Sequence, residues 1–196
     1  HALAGSVIAV HLAKRAGTVE ANQAMVAGLL HDLGKLVMAQ ALPAEYAGIL
    51  EQAATQRRSA REVEREALGD NHTLLGELLA KRWQLPQSIS RCIRYHHVPL
   101  SVENLDYETV SLVRIVCAAD ALAKASGLGF SGDDLVEEIP DRVWNLLGVD
   151  QNAATEAVRA GRRAVALHKT ALGIVSPAVE AVAVPVLHLM ESEQAV

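Results

Sequence analysis

The stretch Ala27-Gly28-Leu29-Leu30-His31-Asp32-Leu33-Gly34-Lys35 puts an adjacent histidine and aspartate at the end of an apolar helix, where both side chains are partly withdrawn from water. Burying such a pair is costly unless something compensates it. A divalent cation does so, and imidazole nitrogen together with carboxylate oxygen suits manganese, iron, zinc or nickel better than calcium. A His-Asp pair alone is a weak signal, because the two can also hydrogen-bond each other and the backbone of a helix end. The remaining inventory strengthens it: His1 on the preceding helix, His72 at a helix start, His96-His97 at a helix end and Asp120 inside another. Each has an architectural alternative. His72 can neighbour an N-terminal cap, and His96 and His97 can close a helix C-terminus, where the dipole favours an imidazolium. His11, His168 and His188 have no partner at a useful spacing and are assigned to surface or core.

The elements that must position these residues are helices. Hydrophobic residues make up 51% of the chain and aromatic ones only 3%, so the core is built from Ala, Leu and Val, which favours close helix packing. Strong helix formers dominate, and no stretch alternates apolar and polar residues for long. An all-α fold follows. A formal net charge of -5 argues against a domain whose main task is gripping a nucleic acid backbone. Cys92 and Cys117 fall in apolar helical patterns and read as reduced core thiols, which points to the cytoplasm. No apolar run approaches the roughly 20 residues of a membrane span.

Along the chain, a helix over 1–16 stops at Gly17, and Thr18 is placed to cap a second helix running to His31. A third continues to Pro43, which opens a fourth carrying Tyr46, Ile49 and Leu50. Ser59 and Glu62 have capping-box spacing and open a short charged helix ending at Gly69; Glu62, Glu64, Arg65 and Glu66 read as its solvated face. Asp70 or Asn71 caps the next helix, whose Trp83 is expected in the core, and Pro86 starts another that ends before His96 and His97. A long helix over 107–126 buries one side through Val110, Val113, Val116 and Cys117. Three glycines between Gly127 and Asp133 mark a boundary, and two further helices, 140–147 and 152–172, follow it. Arg159, Arg162, Arg163 and Lys169 read as a solvated face of the second. The tail over 176–196 is expected to dock on this core or on sequence outside the chain.

The order His, His-Asp, His, His-His, Asp resembles that of HD-superfamily phosphohydrolases. The resemblance implies that His1, His31, Asp32 and Asp120 hold one metal and that His72, His96 and His97 hold a second, with Asp32 bridging them. One or two ions of iron, manganese, zinc or nickel are the implied cofactor. Lys35 looks like the lysine that approaches a substrate phosphate, which makes Asp32 and Lys35 the candidate catalytic residues.

A closer resemblance, over about residues 1–120, is to HDOD domains. It rests on Glu62, Glu64-Arg65-Glu66, Leu68-Gly69, His72, Gly76, Leu79, Trp83, Leu85-Pro86 and His96-His97. HDOD domains are bacterial signal-output modules that often lack metal ligands, whereas here the set is nearly complete. The segment His97-Val98-Pro99-Leu100-Ser101-Val102-Glu103 has no Gly-Tyr-Pro loop of the HD-GYP cyclic dinucleotide phosphodiesterases. The resemblance therefore implies a compact helical bundle over 1–126, lacking its upstream lobe, with a helical extension over 127–196 packed on it. It further implies an output made through contacts with a signalling protein, such as an attached receiver domain or another N-terminal module. The alternative is a metal-dependent phosphohydrolase acting on a nucleotide or cyclic dinucleotide.

Overall fold

The computed structural model describes residues 1–133 and 135–171, and every regular element among them is an α-helix. The expected tail over 176–196 and His188 lie outside the described residues. Helix α1 (Ala2–Ala16) ends at Gly17, which takes a left-handed conformation with φ of 65°. Helix α2 (Ala21–Leu30) follows, with Glu20 rather than Thr18 at its N-cap position. The turn at His31 and Asp32 leads directly into α3 (Leu33–Ala41), so the two residues sit in the corner between helices. Pro43 is the first residue of α4 (Pro43–Gln56), where its missing N–H costs nothing.

Short polar caps then set the entry of each following helix. Ser59 accepts the Glu62 amide at 3.2 Å and opens α5 (Ala60–Leu68). Asn71, not Asp70, caps α6 (His72–Arg82) by accepting the Thr73 amide at 3.0 Å. A side-chain cap of this kind contributes about 1 kcal/mol. The choice matters for the site, because it makes His72 the first helical residue and turns its side chain inward. Helix α7 (Gln87–Tyr95) ends at His96, and an irregular stretch leads to α8 (Tyr107–Ala125), capped by Asp106 on the Thr109 amide at 2.9 Å. After the 127–140 connection come α9 (Asp141–Leu147) and α10 (Gln151–Ala171).

Helix α8 is the axis of the molecule. The sequence places an apolar stripe on one of its sides, but every residue from Thr109 to Ala123 is buried, polar ones included. Helices α1, α2, α7, α9 and α10 pack around it, and their buried side chains form one continuous core with it. A smaller cluster of Met38, Tyr46, Ile49, Ala53, Ala60 and Val63 joins α3, α4 and α5 to one side. Alanine and glycine let the backbones come close. At Gly34 a Cβ would be driven into the His72 carbonyl, and at Gly28 it would lie 2.9 Å from the Ser6 Cα, so α3–α6 and α2–α1 are both fixed by glycine contacts. Trp83 is not in the core: it is 56% exposed at the end of α6. Met25, Val26 and Leu29 also reach the surface, so α2 is apolar on a face that nothing among the described residues covers. Arg159 and Arg163 are exposed on α10 as expected, and no described helix is long and apolar enough to cross a membrane.

Candidate metal centre

His31, Asp32, His72, His96, His97, His1 and Asp120 come from α1, α2, α6, α7 and α8 and the turns beside them, and they meet in one place. They fall into two groups of mutually close donor atoms: Asp32, His72, His96 and His97 in one, His1, His31 and Asp120 in the other. Asp32 stands between them. Its Oδ1 lies 3.4 Å from His72 Nε2 and 3.9 Å from His96 Nε2, while its Oδ2 lies 3.4 Å from His31 Nε2. Asp120 Oδ1 lies 2.8 Å from His1 Nε2 and 3.5 Å from His31 Nε2.

What fixes each ring is as informative as what it faces. His31 Nδ1 donates to the Gly28 carbonyl at 2.8 Å and His96 Nδ1 to the Ile93 carbonyl at 2.9 Å. A carbonyl only accepts, so Nδ1 carries the proton in both rings, and each Nε2 offers a lone pair when the ring is neutral. His72 Nδ1 donates to Glu64 Oε2 at 2.6 Å, and the His72 amide donates to the same oxygen at 2.9 Å. His97 Nδ1 lies 3.1 Å from Glu137 Oε2, whose other oxygen pairs with Arg61 at 3.2 Å. The Nε2 atoms of His72 and His97 are then left facing each other across 3.3 Å. With both rings in the neutral form, two lone pairs at that separation repel, and a cation between or beside them removes the conflict. His31 Nε2, His96 Nε2 and Asp32 Oδ1 are buried with no hydrogen-bond partner among the described residues, so the cluster has both the chemistry and the unspent donor atoms to hold a metal.

The electrostatics follow from the same contacts. Burial alone would favour protonating Asp32, but the charges of His31 and Lys35 outweigh it and hold the carboxyl well below its usual range. Asp120 is held low likewise, chiefly by the neighbouring His31 imidazole and by Lys124, whose Nζ lies 3.4 Å from it. Burial also opposes a charge on His31, yet Asp32 and Asp120 push this imidazole up to about 10 in the absence of a metal. His96 and His97 go the other way: burial and the neighbouring imidazoles keep both well below the ordinary histidine range. They are therefore neutral rings with lone pairs, not the imidazolium caps that a helix C-terminus would favour. Lys35 Nζ donates to Asp32 Oδ2 at 2.8 Å and to the Ser131 carbonyl at 2.6 Å, which ties α3 to the 127–140 connection.

Three participants escape a reading of the sequence. Glu64 lies in a charged run read as solvated, and Glu62, Arg65 and Glu66 are indeed exposed, yet Glu64 is 0% exposed and also accepts from Tyr46 Oη at 3.3 Å. Its signal was present in spacing alone, since it lies on the same face of α5 as buried Val63 and Ala60. Glu137 and Lys124 carry no motif. His11 stays local, bonding the Val7 carbonyl at 2.9 Å, and His168 is exposed. Cys92 and Cys117 are buried free thiols that belong to neither donor group.

The HDOD domain model matches residues 1–99, which carry all of the cluster except Asp120. The chain belongs to the HDOD domain family. An HDOD domain protein of unknown function from Geobacter sulfurreducens is 26% identical, with a TM-score of 0.60 over 89% of this chain and 58% of that one. A Marinobacter aquaeolei protein described as a "Putative signal transduction protein" superposes with a TM-score of 0.68 at 20% identity, over 89% of this chain and 39% of its own. A Shewanella amazonensis protein described as "Putative phosphohydrolase" gives 0.64 at 23% identity, over 84% and 61%. Among curated sequences, Ribonuclease Y of Aquifex aeolicus is 31% identical over 150 residues, which are 74% of this chain and 20% of that protein. An uncharacterized protein of Treponema pallidum (strain Nichols) is 33% identical over 94 residues, or 45% and 18%. The HDOD chain thus spans about a fifth of the length of the curated relatives it matches.

Proposed function

We propose that this HDOD domain is a signalling output module that acts through contacts with a partner protein, attached or separate, and keeps a metal centre as its internal organiser. His1, His31, Asp32, His72, His96, His97 and Asp120 would hold one or two divalent transition metals. The observation that carries this reading is depth. His31, His72, His96 and Asp120 are all buried, so the centre is built to tie α1, α2, α6, α7 and α8 to one another. Exposed Met25, Val26 and Leu29 on α2, directly above the His31-Asp32 corner in sequence, give such a centre an apolar face through which its state can be read by a partner.

The test is elemental analysis of chain purified without chelator. It should find iron, manganese, zinc or nickel at up to about two ions per chain, and Asp32→Ala should bring this to background. Metal-dependent turnover of a cyclic dinucleotide that disappears in Asp32→Ala would overturn the output-only reading.

One observation favours hydrolysis as a second reading: a cavity reaches Asp32 and Lys35 from the surface. A bound divalent metal supplies positive charge that polarises a phosphoryl oxygen. Around it, Lys35 would add a second positive charge at the phosphoryl group, Asp32 would share its oxygens between the two donor groups, and Glu64 and Glu137 would keep His72 and His97 in the Nδ1–H tautomer. The substrate in that reading is a nucleotide or a cyclic dinucleotide.

A further inference from the structure

Four of the five histidines of the centre have Nδ1 committed to an acceptor: His31 and His96 to carbonyls, His72 and His97 to carboxylates. His1 is the exception. Its Nδ1 is buried with no hydrogen-bond partner among the described residues, and the hydrogen bond its ring does make runs from Nε2 to Asp120 Oδ1 at 2.8 Å. A hydrogen bond on the far nitrogen is what ordinarily sets the orientation of a metal-ligating imidazole, so something else must hold this one. Backbone packing does so. Gly129, between α8 and α9, lies so close to the His1 main chain that a Cβ there would run into the His1 nitrogen and stand 2.9 Å from the His1 Cα. Gly129 also takes a φ of 91°, which glycine adopts without strain. Gly127 in the same connection makes the contrast: its φ is 62°, yet a Cβ there would meet nothing within 4 Å. Glycine serves the turn alone at 127, and both the turn and the approach to His1 at 129.

We propose that Gly129 is a positioning residue of the metal centre, its bare backbone forming the seat that holds His1 beside His31 and Asp120 in place of the missing Nδ1 hydrogen bond. The proposal rests on the metal reading for its consequence and goes beyond it in naming what sets this donor. It also gives the 127–140 connection a hand in both donor groups, since Gly129 seats His1 in one and Glu137 holds His97 in the other. A shift of that connection therefore alters the two groups together.

The experiment compares the full chain with its Gly129→Ala, Gly127→Ala and His1→Ala variants by competitive chelator titration. His1→Ala defines the loss that follows when the first group lacks its histidine. Gly129→Ala should reproduce that loss, about 10–100-fold in affinity, and adding it to His1→Ala should change the result by no more than about twofold. Gly127→Ala strains the same connection but puts its methyl into open space, and should leave affinity within about twofold of wild type. A further variant guards against a folding defect: one glycine inserted between Phe130 and Ser131 adds no side chain and slackens the seat, and it should give the same loss as Gly129→Ala. In buffer with chelator, nitrogen NMR spectra of the histidine rings should show the His1 Nε2 proton held on Asp120 in wild type and Gly127→Ala. In Gly129→Ala and the insertion variant that proton should exchange freely. Affinity and a His1 signal that survive both of these changes overturn the proposal. So does an equal loss in Gly127→Ala, which makes backbone strain the cause, or a further drop when Gly129→Ala is added to His1→Ala, which means that Gly129 acts elsewhere. A wild-type chain that takes up no metal overturns the metal reading instead, and the ring spectra then decide the seat on their own.

Discussion

His31 and His96 are held by backbone carbonyls three residues back in their own helices, whereas His72 and His97 are held by carboxylates brought from other segments, Glu64 on α5 and Glu137 beyond α8. The first pair is fixed as soon as its helices form. The second is fixed only when distant parts of the chain have packed. The difference has a chemical side as well, since a carboxylate on Nδ1–H makes Nε2 a more basic ligand than a carbonyl does. A pair fixed within its own helices thus sits beside a pair whose strength other segments can adjust.

Mutations can break this contrast in graded ways. The largest effect is expected from Gly34→Ala, which forces a methyl into the His72 carbonyl and parts α3 from α6. Overpacking at a backbone contact costs about 3 kcal/mol or more, visible as a lower denaturation midpoint, and both donor groups should be lost together. Next is Glu64→Gln, which keeps the shape of the buried anchor but removes its charge. Metal affinity should fall about 10–100-fold in a competitive chelator titration. If the loss equals that of a variant with no ligand at all, the pair of His31 and His96 contributes nothing on its own. Smallest is Glu137→Gln, because that carboxylate is partly exposed and shared with Arg61. A drop of no more than about tenfold is expected. A larger drop than for Glu64→Gln would reverse the ranking and make the 127–140 connection the main anchor.

The same contrast explains what could be read from sequence. The donors sit at helix ends flanked by glycine, proline and caps, and such punctuation is local; hence His31-Asp32, His72 and His96-His97 were legible together with the all-α fold. Their sharing of one site was implied by the family resemblance rather than by spacing, and the structure brings their donor atoms close together around Asp32. Glu64 was hidden because a buried carboxylate inside a charged run has the same local pattern as a solvated one. Only its place beside Ala60 and Val63 on the buried face of α5 separates it from Glu62 and Glu66. Glu137 was invisible for a stronger reason: it meets His97 across a separation in sequence that no period links, whereas Lys124 meets Asp120 at an i,i+4 spacing common to any helix. Trp83 misled in the opposite direction. A large aromatic after four leucines reads as core, but α6 ends there and leaves Trp83 exposed.

The burial of α8 on every side has a consequence for how this architecture is inherited. The recognisable family pattern stops at residue 99, short of the helix around which α1, α2 and α7 are assembled. Cut at that point, the fragment would keep nearly all its signature residues and lose the surface that they were shaped against. A graft planned on residues 1–99 alone would leave out α8 and deliver an open half-shell.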